Sequence, residues 1–200
     1  MQNNVDEKYI LAKKDKPEPN DPLTLRQMDY GIDINRRVIY YSDEIDTWTP
    51  AWISQRIDAL CDLTNNHKSP VDLDITSPGG DVYGMLGTID IIENAPVDIN
   101  TLGRGMIMSA ATFILAAGTG RRYMTRNSIL MIHQISTWVA GTSKDVLAEA
   151  DHLKFLQKHA YKLYEKYSNK KASYWENKCK RNCYFTADEC LKLGLIDEII

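Results

Sequence analysis

Twice between Val71 and Gly118, a stretch with the alternating pattern of a β-strand runs into a glycine-containing turn and then into a helix. The first strand pattern, Val71–Thr76, leads into Ser77–Gly80, and the second, Val97–Leu102, leads into a segment that ends at Ser109. Alternating strands and helices predict a parallel or mixed sheet whose functional loops lie at the carboxyl ends of the strands. We therefore expect the two glycine turns to lie side by side.

Ser109 stands where the second turn gives way to a run of small and apolar residues, Ala110–Gly118, which is typical of a buried helix. Unpaired N–H groups and the positive end of the helix dipole at such a position favour developing negative charge, so the position suits a serine nucleophile. The alternative is that Ser109 serves only as the N-cap of the helix, a common role of serine.

A further apolar run, Ser128–Ile132, predicts a buried strand that ends in His133. In a parallel sheet this strand end lies at the same edge as Ser109, where a neutral imidazole activates a serine hydroxyl. The alternative is a structural histidine whose ring is satisfied in the core.

Hydrophobic periodicity predicts a long amphipathic helix over Ser143–Tyr167, which forms either a subunit contact or part of the core. Its two histidines, His152 and His159, are expected at the surface or at an interface. The other predicted elements are a strand at Arg37–Ser42 and helices that begin at Thr49 (as N-cap), Tyr83 and Thr186 (in a capping box with Glu189).

Composition limits the classes of protein. The chain has 200 residues, 44% of them apolar, which suits one domain over residues 29–200, and the proline-rich, charged residues 1–28 predict a disordered or loosely ordered arm. A net charge of −3 argues against nucleic acid as a ligand. No membrane-spanning or signal segment is recognised, so a cytoplasmic protein is expected. The four cysteines form no Cys-x-x-Cys pair, so we expect reduced cysteines and no metal or cofactor.

Five motifs together carry a family resemblance. They are Ser77–Gly80, Gly105-x-x-x-Ser109, Ala117–Arg122, Asn127–Gln134 and Thr186–Asp197. In their order and spacing the chain from about Arg37 to Ile200 resembles the ClpP family, the proteolytic subunits of self-compartmentalised, ATP-dependent serine proteases. The resemblance implies an α/β fold, the crotonase-like ββα spiral, with the long helix as a handle. It also implies polypeptide substrates and an AAA+ unfoldase partner.

The resemblance also assigns roles to individual residues. Ser109 matches the nucleophile and His133 the general base, and Gly80 and Ala110 match the positions whose backbone N–H groups form the oxyanion hole. The position of the family's catalytic aspartate is held here by Asn182. An Asn carbonyl can still orient the imidazole, but it adds no negative charge beside the imidazolium. Nearby Asp188 is better explained as a first-turn acid of the last helix.

Assembly is implied in the same way. The family forms heptameric rings that stack in pairs to a tetradecamer, and Gln134 and Arg181 match positions used in contacts between rings. A homo-oligomer and a mixed ring with a related chain both remain open.

Two further departures bear on what the protein binds. Where the family has proline and glycines along the edge of its peptide groove, this chain has Ile135–Ala140, including Trp138. Where the family has an apolar pocket for the unfoldase, the expected outward positions are Asp72 and Asp74, and carboxylates do not receive an apolar anchor without a desolvation penalty.

The sequence therefore predicts a serine endopeptidase subunit that acts through an acyl-enzyme on Ser109. One alternative is a weakly active or regulatory subunit of a mixed ring. Another, ranked lower because it leaves the Ser109–His133 pairing unexplained, is a crotonase-type acyl-CoA enzyme.

Overall fold

A single sheet of eight strands organises the part of the chain that the structure, a computed structural model, describes, residues 31–200. The arm predicted for residues 1–28 lies outside the described residues. The strands are β1 (Ile32–Asp33), β2 (Val38–Tyr41), β3 (Val71–Ser77), β4 (Ile99–Met108), β5 (Arg122–Met124), β6 (Ile129–Ile132), β7 (Cys183–Thr186) and β8 (Glu198–Ile199). They follow the order β1-β2-β3-β4-β5-β8, and β6 pairs with β4 and β7.

Six helices accompany this sheet in the described residues. They are α1 (Thr49–Leu63), α2 (Val82–Glu93), α3 (Ala110–Ala116), α4 (Ser143–Tyr167), α5 (Ala172–Lys178) and α6 (Ala187–Leu193). The predicted α/β fold is confirmed, because β2, β3, β4, β5 and β6 all take part in parallel pairs and helices connect the first four of them in turn.

Strand β4 is longer than its sequence pattern predicts. The glycines at 103 and 105 suggest an early end at Leu102, yet the strand continues to Met108. It changes partner on the way: residues 101–103 pair with β5, and residues 106–108 pair with β6. Gly105, with φ +59°, lies between the two pairings. This change of partner brings the end of β6, and therefore His133, to the end of β4.

The start of α1 differs from the prediction. Thr49 is the first residue of the helix and not its N-cap, which is Trp48. The side chain that satisfies the first N–H groups is Asp46, whose Oδ1 accepts from the backbone N–H groups of Trp48 and Thr49 at 2.9 Å each. The Thr49 hydroxyl is instead buried against Asp46 and the Tyr41 hydroxyl.

Helix α4 divides into two halves. All of its buried residues, from Leu156 to Tyr164, lie in the second half. In the first half, Leu147 is 67% exposed, and Phe155 at the boundary is 64% exposed. Core packing therefore accounts for the second half only, and the first half leaves apolar surface uncovered in the isolated chain. As expected, His152 lies near the surface, where its Nε2 is 2.6 Å from the Tyr83 hydroxyl.

Candidate active site

Ser109 connects the end of β4 to the start of α3 in a strained conformation. Its φ of 52° and ψ of −120° lie in a region that residues other than glycine rarely occupy. The backbone N–H of Ser109 donates to the Met131 carbonyl at 2.7 Å, which ties this turn to β6. Ser109 stands at the N-cap position, but its side chain makes no capping hydrogen bond. The alternative that the Ser109 hydroxyl caps the helix is therefore wrong.

The Ser109 hydroxyl instead faces His133. The distance from Ser109 Oγ to His133 Nε2 is 2.7 Å, a hydrogen bond between side chains. The parallel register of β4 and β6, which pairs Met108 with Met131, brings both residues to the same edge of the sheet. The prediction that they share this edge is confirmed.

The glycine turn after β3 packs directly against Ser109. Gly79 has φ +94°, and a Cβ atom there would lie 2.6 Å from the Met108 carbonyl oxygen and 2.8 Å from Ser109 Cβ. Gly80 has φ +147°, and a Cβ there would lie 2.0 Å from the Ile45 carbonyl oxygen. Only glycine fits at either position. The two glycine turns thus lie side by side, as predicted.

A pocket of about 230 Å³ opens beside these residues. Gly80, Ser109, Ala110 and His133 line one part of it. The other part is lined mainly by apolar side chains, namely Val82, Met85, Phe113, Ile135 and Ala160, with Tyr164, Ser136 and Gln157.

Tyr164 contributes its ring and not its hydroxyl to this pocket. The ring packs on Phe113 with centroids 4.0 Å apart, and the hydroxyl is 2.6 Å from Thr112 Oγ1. Burial raises the pKa of Tyr164 well above its ordinary value, so the hydroxyl stays protonated.

Asn182 lies next to His133 along the sheet without contacting it through a hydrogen bond. In the antiparallel pairing of β6 and β7, Ile132 faces Cys183, so the next position along each strand places His133 and Asn182 opposite each other. The Asn182 residue is exposed, and within residues 31–200 no hydrogen bond joins it to His133. Asn182 is therefore opposite His133 in the strand register, but its side chain is not hydrogen-bonded to the imidazole.

Asp188 is not a substitute for the missing aspartate. It lies in the first turn of α6, 3.5 Å from Arg126, which precedes β6. His133 follows the opposite end of β6, and a strand of four residues spans about 13 Å. Thr186 and Glu189 form the predicted capping box in both directions.

The two residues with an expected role in assembly, Gln134 and Arg181, are both exposed. The described residues contain no cluster of three or more His, Cys, Asp or Glu side chains arranged to hold a metal ion. All four cysteines are free thiols, and burial raises the pKa of Cys179 and of Cys190 to about 12. No helix between residues 31 and 200 is both long and apolar enough to cross a bilayer.

Asp72 and Asp74 lie on the face of β3 opposite its core residues, as expected, but they are less exposed than an outward position suggests. Asp74 is only 9% exposed, and its Oδ2 accepts from Arg104 Nε at 2.6 Å. Burial raises the pKa of Asp74 even though Arg104 opposes the shift. Asp72 is half-buried and accepts from Asn100 Nδ2 at 2.7 Å. Both line a small pocket of about 150 Å³ together with Arg36 and Tyr40. The pocket carries both carboxylates, but Asp74 is paired with Arg104, whereas Asp72 is held by the neutral amide of Asn100.

One residue of the site was missed in the sequence. Gln157 of α4 reaches the segment after His133, where its Oε1 accepts from the Ile135 N–H at 2.7 Å. The signal was present, because the family's proline at this position has no N–H, whereas isoleucine has one that needs an acceptor.

These observations define an α/β protein whose sheet edge carries a serine–histidine pair between a glycine turn and an apolar pocket, an arrangement suited to acyl transfer. Comparison with known families gives the particular class. The family model described as Clp protease matches residues 26–200, and the chain belongs to this family of proteases, which are hydrolases.

Curated relatives agree with this assignment. The chain is 28% identical to the ATP-dependent Clp protease proteolytic subunit 2 of Mycolicibacterium paratuberculosis, over 93% of each protein. It is 33% identical to proteolytic subunit 1 of Mycobacterium leprae, over 84% of this chain and 83% of the relative. It is 26% identical to proteolytic subunit 3 of Streptomyces coelicolor, over 84% of this chain and 76% of the relative. The identities mark a divergent member of the family.

Proposed function

We propose that this chain is a serine-type endopeptidase subunit that hydrolyses peptide bonds through an acyl-enzyme on Ser109. The observation that carries the proposal is the 2.7 Å hydrogen bond between Ser109 Oγ and His133 Nε2. With Nε2 unprotonated, His133 takes the hydroxyl proton as Ser109 Oγ attacks the scissile carbonyl carbon. His133 then gives that proton to the leaving amine, and a water molecule hydrolyses the ester by the same steps in reverse order.

The negative charge that develops on the carbonyl oxygen needs donors. The backbone N–H groups of Gly80 and Ala110 fulfil this role in the proposal, because both residues line the pocket next to Ser109. A donor of this kind contributes about 3 kcal/mol to transition-state stabilisation. The close packing of Gly79 against Met108 and Ser109 holds the two donor segments together.

Asn182 is the orienting residue in this proposal. Its position opposite His133 in the β6–β7 register allows its side-chain carbonyl to accept from His133 Nδ1–H after a rotation of an exposed side chain. An amide in place of a carboxylate leaves the imidazolium without a negative neighbour, so we expect slow turnover.

We further propose that the subunit works in a ring, with an AAA+ unfoldase that delivers polypeptides to it in the cytoplasm. The uncovered apolar residues of α4, Leu147 and Phe155, provide surface for the contact between rings. Gln134 and Arg181, which the proposal also places in that contact, are exposed as well. The proteolytic relatives carry the numbers 1, 2 and 3, which suits either identical or mixed rings.

Hydrolysis of fluorogenic peptides by the assembled protein tests the activity. We expect slow hydrolysis by the wild-type protein and none by Ser109→Ala protein of the same particle mass. Intact particles that cleave neither fluorogenic peptides nor an unfolded protein at a rate above the Ser109→Ala background would contradict the proposal.

A second candidate function is a weakly active or regulatory subunit of a mixed ring. The specific observation in its favour is the exposed Asn182 without a hydrogen bond to His133. Purification of the chain from its natural cell, followed by fluorophosphonate labelling, distinguishes the two. Labelling of this chain supports the first function, whereas a fixed ratio with a second Clp subunit that alone is labelled supports the second.

A further inference from the structure

The Gln157 side chain joins α4 to the segment that follows His133. Its Oε1 accepts from the Ile135 backbone N–H at 2.7 Å. Both residues line the pocket beside Ser109, and both are half-buried. The contact therefore fixes one wall of the pocket two residues after His133.

This contact also fixes the orientation of the Gln157 amide. A backbone N–H can only donate, so the group that faces Ile135 is the carbonyl oxygen and not the NH₂ group. The NH₂ group, Nε2, then points away from Ile135, and no hydrogen bond joins it to another of residues 31–200. It is accessible to solvent, because every buried side-chain N or O atom among these residues has a partner. It is a donor that remains available at the wall of the pocket.

The lining away from Ser109 and His133 is mainly apolar. Val82, Met85, Phe113 and Ala160 offer only apolar surface, and Ser136 adds an exposed hydroxyl. The Tyr164 hydroxyl is already paired with Thr112 at 2.6 Å. An aliphatic side chain of a bound peptide thus finds apolar surface, and a polar group at its tip finds a donor that carries no charge.

We propose that Gln157 has two roles: its carbonyl positions the Ile135 segment, and its NH₂ group selects a side chain of the substrate. The selected side chain lies on the acyl side of the cleaved bond. It has an apolar stem and an uncharged hydrogen-bond acceptor at its tip, as glutamine does. This inference rests on the proposed peptidase function, because it assigns the side-chain specificity of that same pocket. Gln157 is a specificity-determining and positioning residue, since it does not touch the reacting atoms.

Binding of product-like peptides tests the inference without requiring turnover. Acetyl-Ala-Ala-glutamine and acetyl-Ala-Ala-norleucine differ mainly in the acceptor at the tip of an unbranched side chain. Their dissociation constants are measured by NMR titration on assembled protein that carries Ser109→Ala. We expect the affinity ratio of glutamine over norleucine to fall about five-fold when Gln157→Leu is added, the effect of one hydrogen bond.

Two more variants separate the two roles. Gln157→Glu keeps an acceptor for the Ile135 N–H but removes the NH₂ donor, so we expect the same fall in the ratio with unchanged hydrogen-exchange protection of the Ile135 amide. Gln157→Leu should speed up exchange of that amide at least about five-fold. Lys158→Ala, at the next and exposed position of α4, should change neither quantity.

An affinity ratio that stays within two-fold in Gln157→Leu would overturn the specificity role, and unchanged Ile135 protection in that variant would overturn the positioning role. Hydrolysis by Ser109-containing protein is measured separately. If the protein hydrolyses no peptide but the glutamine-to-norleucine affinity ratio falls about five-fold in Gln157→Leu, the peptidase proposal is refuted and the selectivity of the pocket is supported. If the protein hydrolyses peptides and the ratio is unchanged, the peptidase proposal is supported and the selectivity of Gln157 is refuted.

Discussion

The backbone of Ser109 is strained, and two hydrogen bonds of this residue hold it in the strained conformation. A residue with a side chain at φ 52° and ψ −120° costs about 1–3 kcal/mol. The Ser109 N–H bond to Met131 and the hydroxyl bond to His133 both depend on that conformation. A relaxed serine would lose both contacts. Strain at this one residue is therefore associated with the alignment of the hydroxyl and the imidazole.

The first prediction concerns the third member of the site. Asn182→Asp places a carboxylate opposite His133, where it can accept from Nδ1–H and stabilise the imidazolium. We expect kcat/KM for a fluorogenic peptide to rise about ten-fold or more, since the opposite change in a trypsin-like site costs about four orders of magnitude.

Asp188→Asn provides the control for the Asn182 experiment, because Asp188 lies at the other end of β6 beside Arg126 and should leave turnover unchanged. Equal particle mass must be verified for each protein. A turnover of Asn182→Asp at or below the wild-type value would show that Asn182 does not orient His133.

At the scale of single elements, the glycine turn and β4 give a matched pair of substitutions. In Gly79→Ala, the new methyl group would meet the Met108 carbonyl oxygen at 2.6 Å and Ser109 Cβ at 2.8 Å, so the two turns must separate. We expect kcat to fall about 100-fold, the cost of losing one oxyanion donor.

Gly105→Ala is the matched control for this substitution. Gly105 also has a positive φ, +59°, but nothing lies within 4 Å of its added Cβ. We expect a loss of about 1–2 kcal/mol in the free energy of unfolding and nearly unchanged kcat. Equal kcat values for the two variants would contradict the assigned role of the Gly79 turn.

Strand β5 is anchored to the end of the chain by an ion pair with a measurable pH dependence. Burial raises the pKa of the Asp197 carboxyl, but its hydrogen bonds to the Arg122 guanidinium and N–H outweigh burial and hold the pKa below its ordinary value. A lowered pKa in the folded state means that the stabilisation is complete above the pKa of the unfolded chain and is lost as the pH falls.

Asp197→Asn should therefore lower the free energy of unfolding by about 1 kcal/mol at pH 7. The difference from wild type should shrink as the pH falls below about 4, the ordinary pKa of an aspartate, and vanish once the carboxyl is protonated in the folded state. Denaturant unfolding at several pH values measures both. Asp188→Asn, whose carboxylate is 62% exposed, should stay within about 0.5 kcal/mol of wild type throughout. A difference for Asp197→Asn that grows as the pH falls would contradict this account.

At the scale of the whole molecule, the uncovered half of α4 predicts assembly. Leu147 and Phe155 expose 67% and 64% of their surface to water in the monomer. Exposed apolar patches on a protein surface mark sites of protein–protein contact. Introducing a carboxylate at both positions, Leu147→Asp with Phe155→Asp, should reduce the particle mass measured by native mass spectrometry from that of a stacked double ring to that of smaller species. Lys162→Ala, exposed on the same helix, should not. An unchanged mass in the double variant would contradict an α4 contact between rings.

The sequence predicts the parts of this molecule that rest on local patterns. The alternation of β3, the capping box of α6 and the placement of His133 after a buried strand follow from residue periodicity and topology. The path of β4 does not, because glycines normally end a strand and the exchange of β5 for β6 as its partner is a tertiary event. Short elements such as β8 and α5 contain too few residues to show a period. The burial of Asp74 depends on Arg104, thirty positions away in the chain.

Active-site labelling tests the central claim most directly. Assembled wild-type protein is treated with a fluorophosphonate, and the modified residue is identified by peptide mass spectrometry, with His133→Ala and Ser109→Ala as comparisons. We predict modification at Ser109, at least about 100-fold slower in His133→Ala and absent in Ser109→Ala. Intact wild-type particles that remain unlabelled, or that label at the same rate without His133, would contradict a serine nucleophile activated by that histidine.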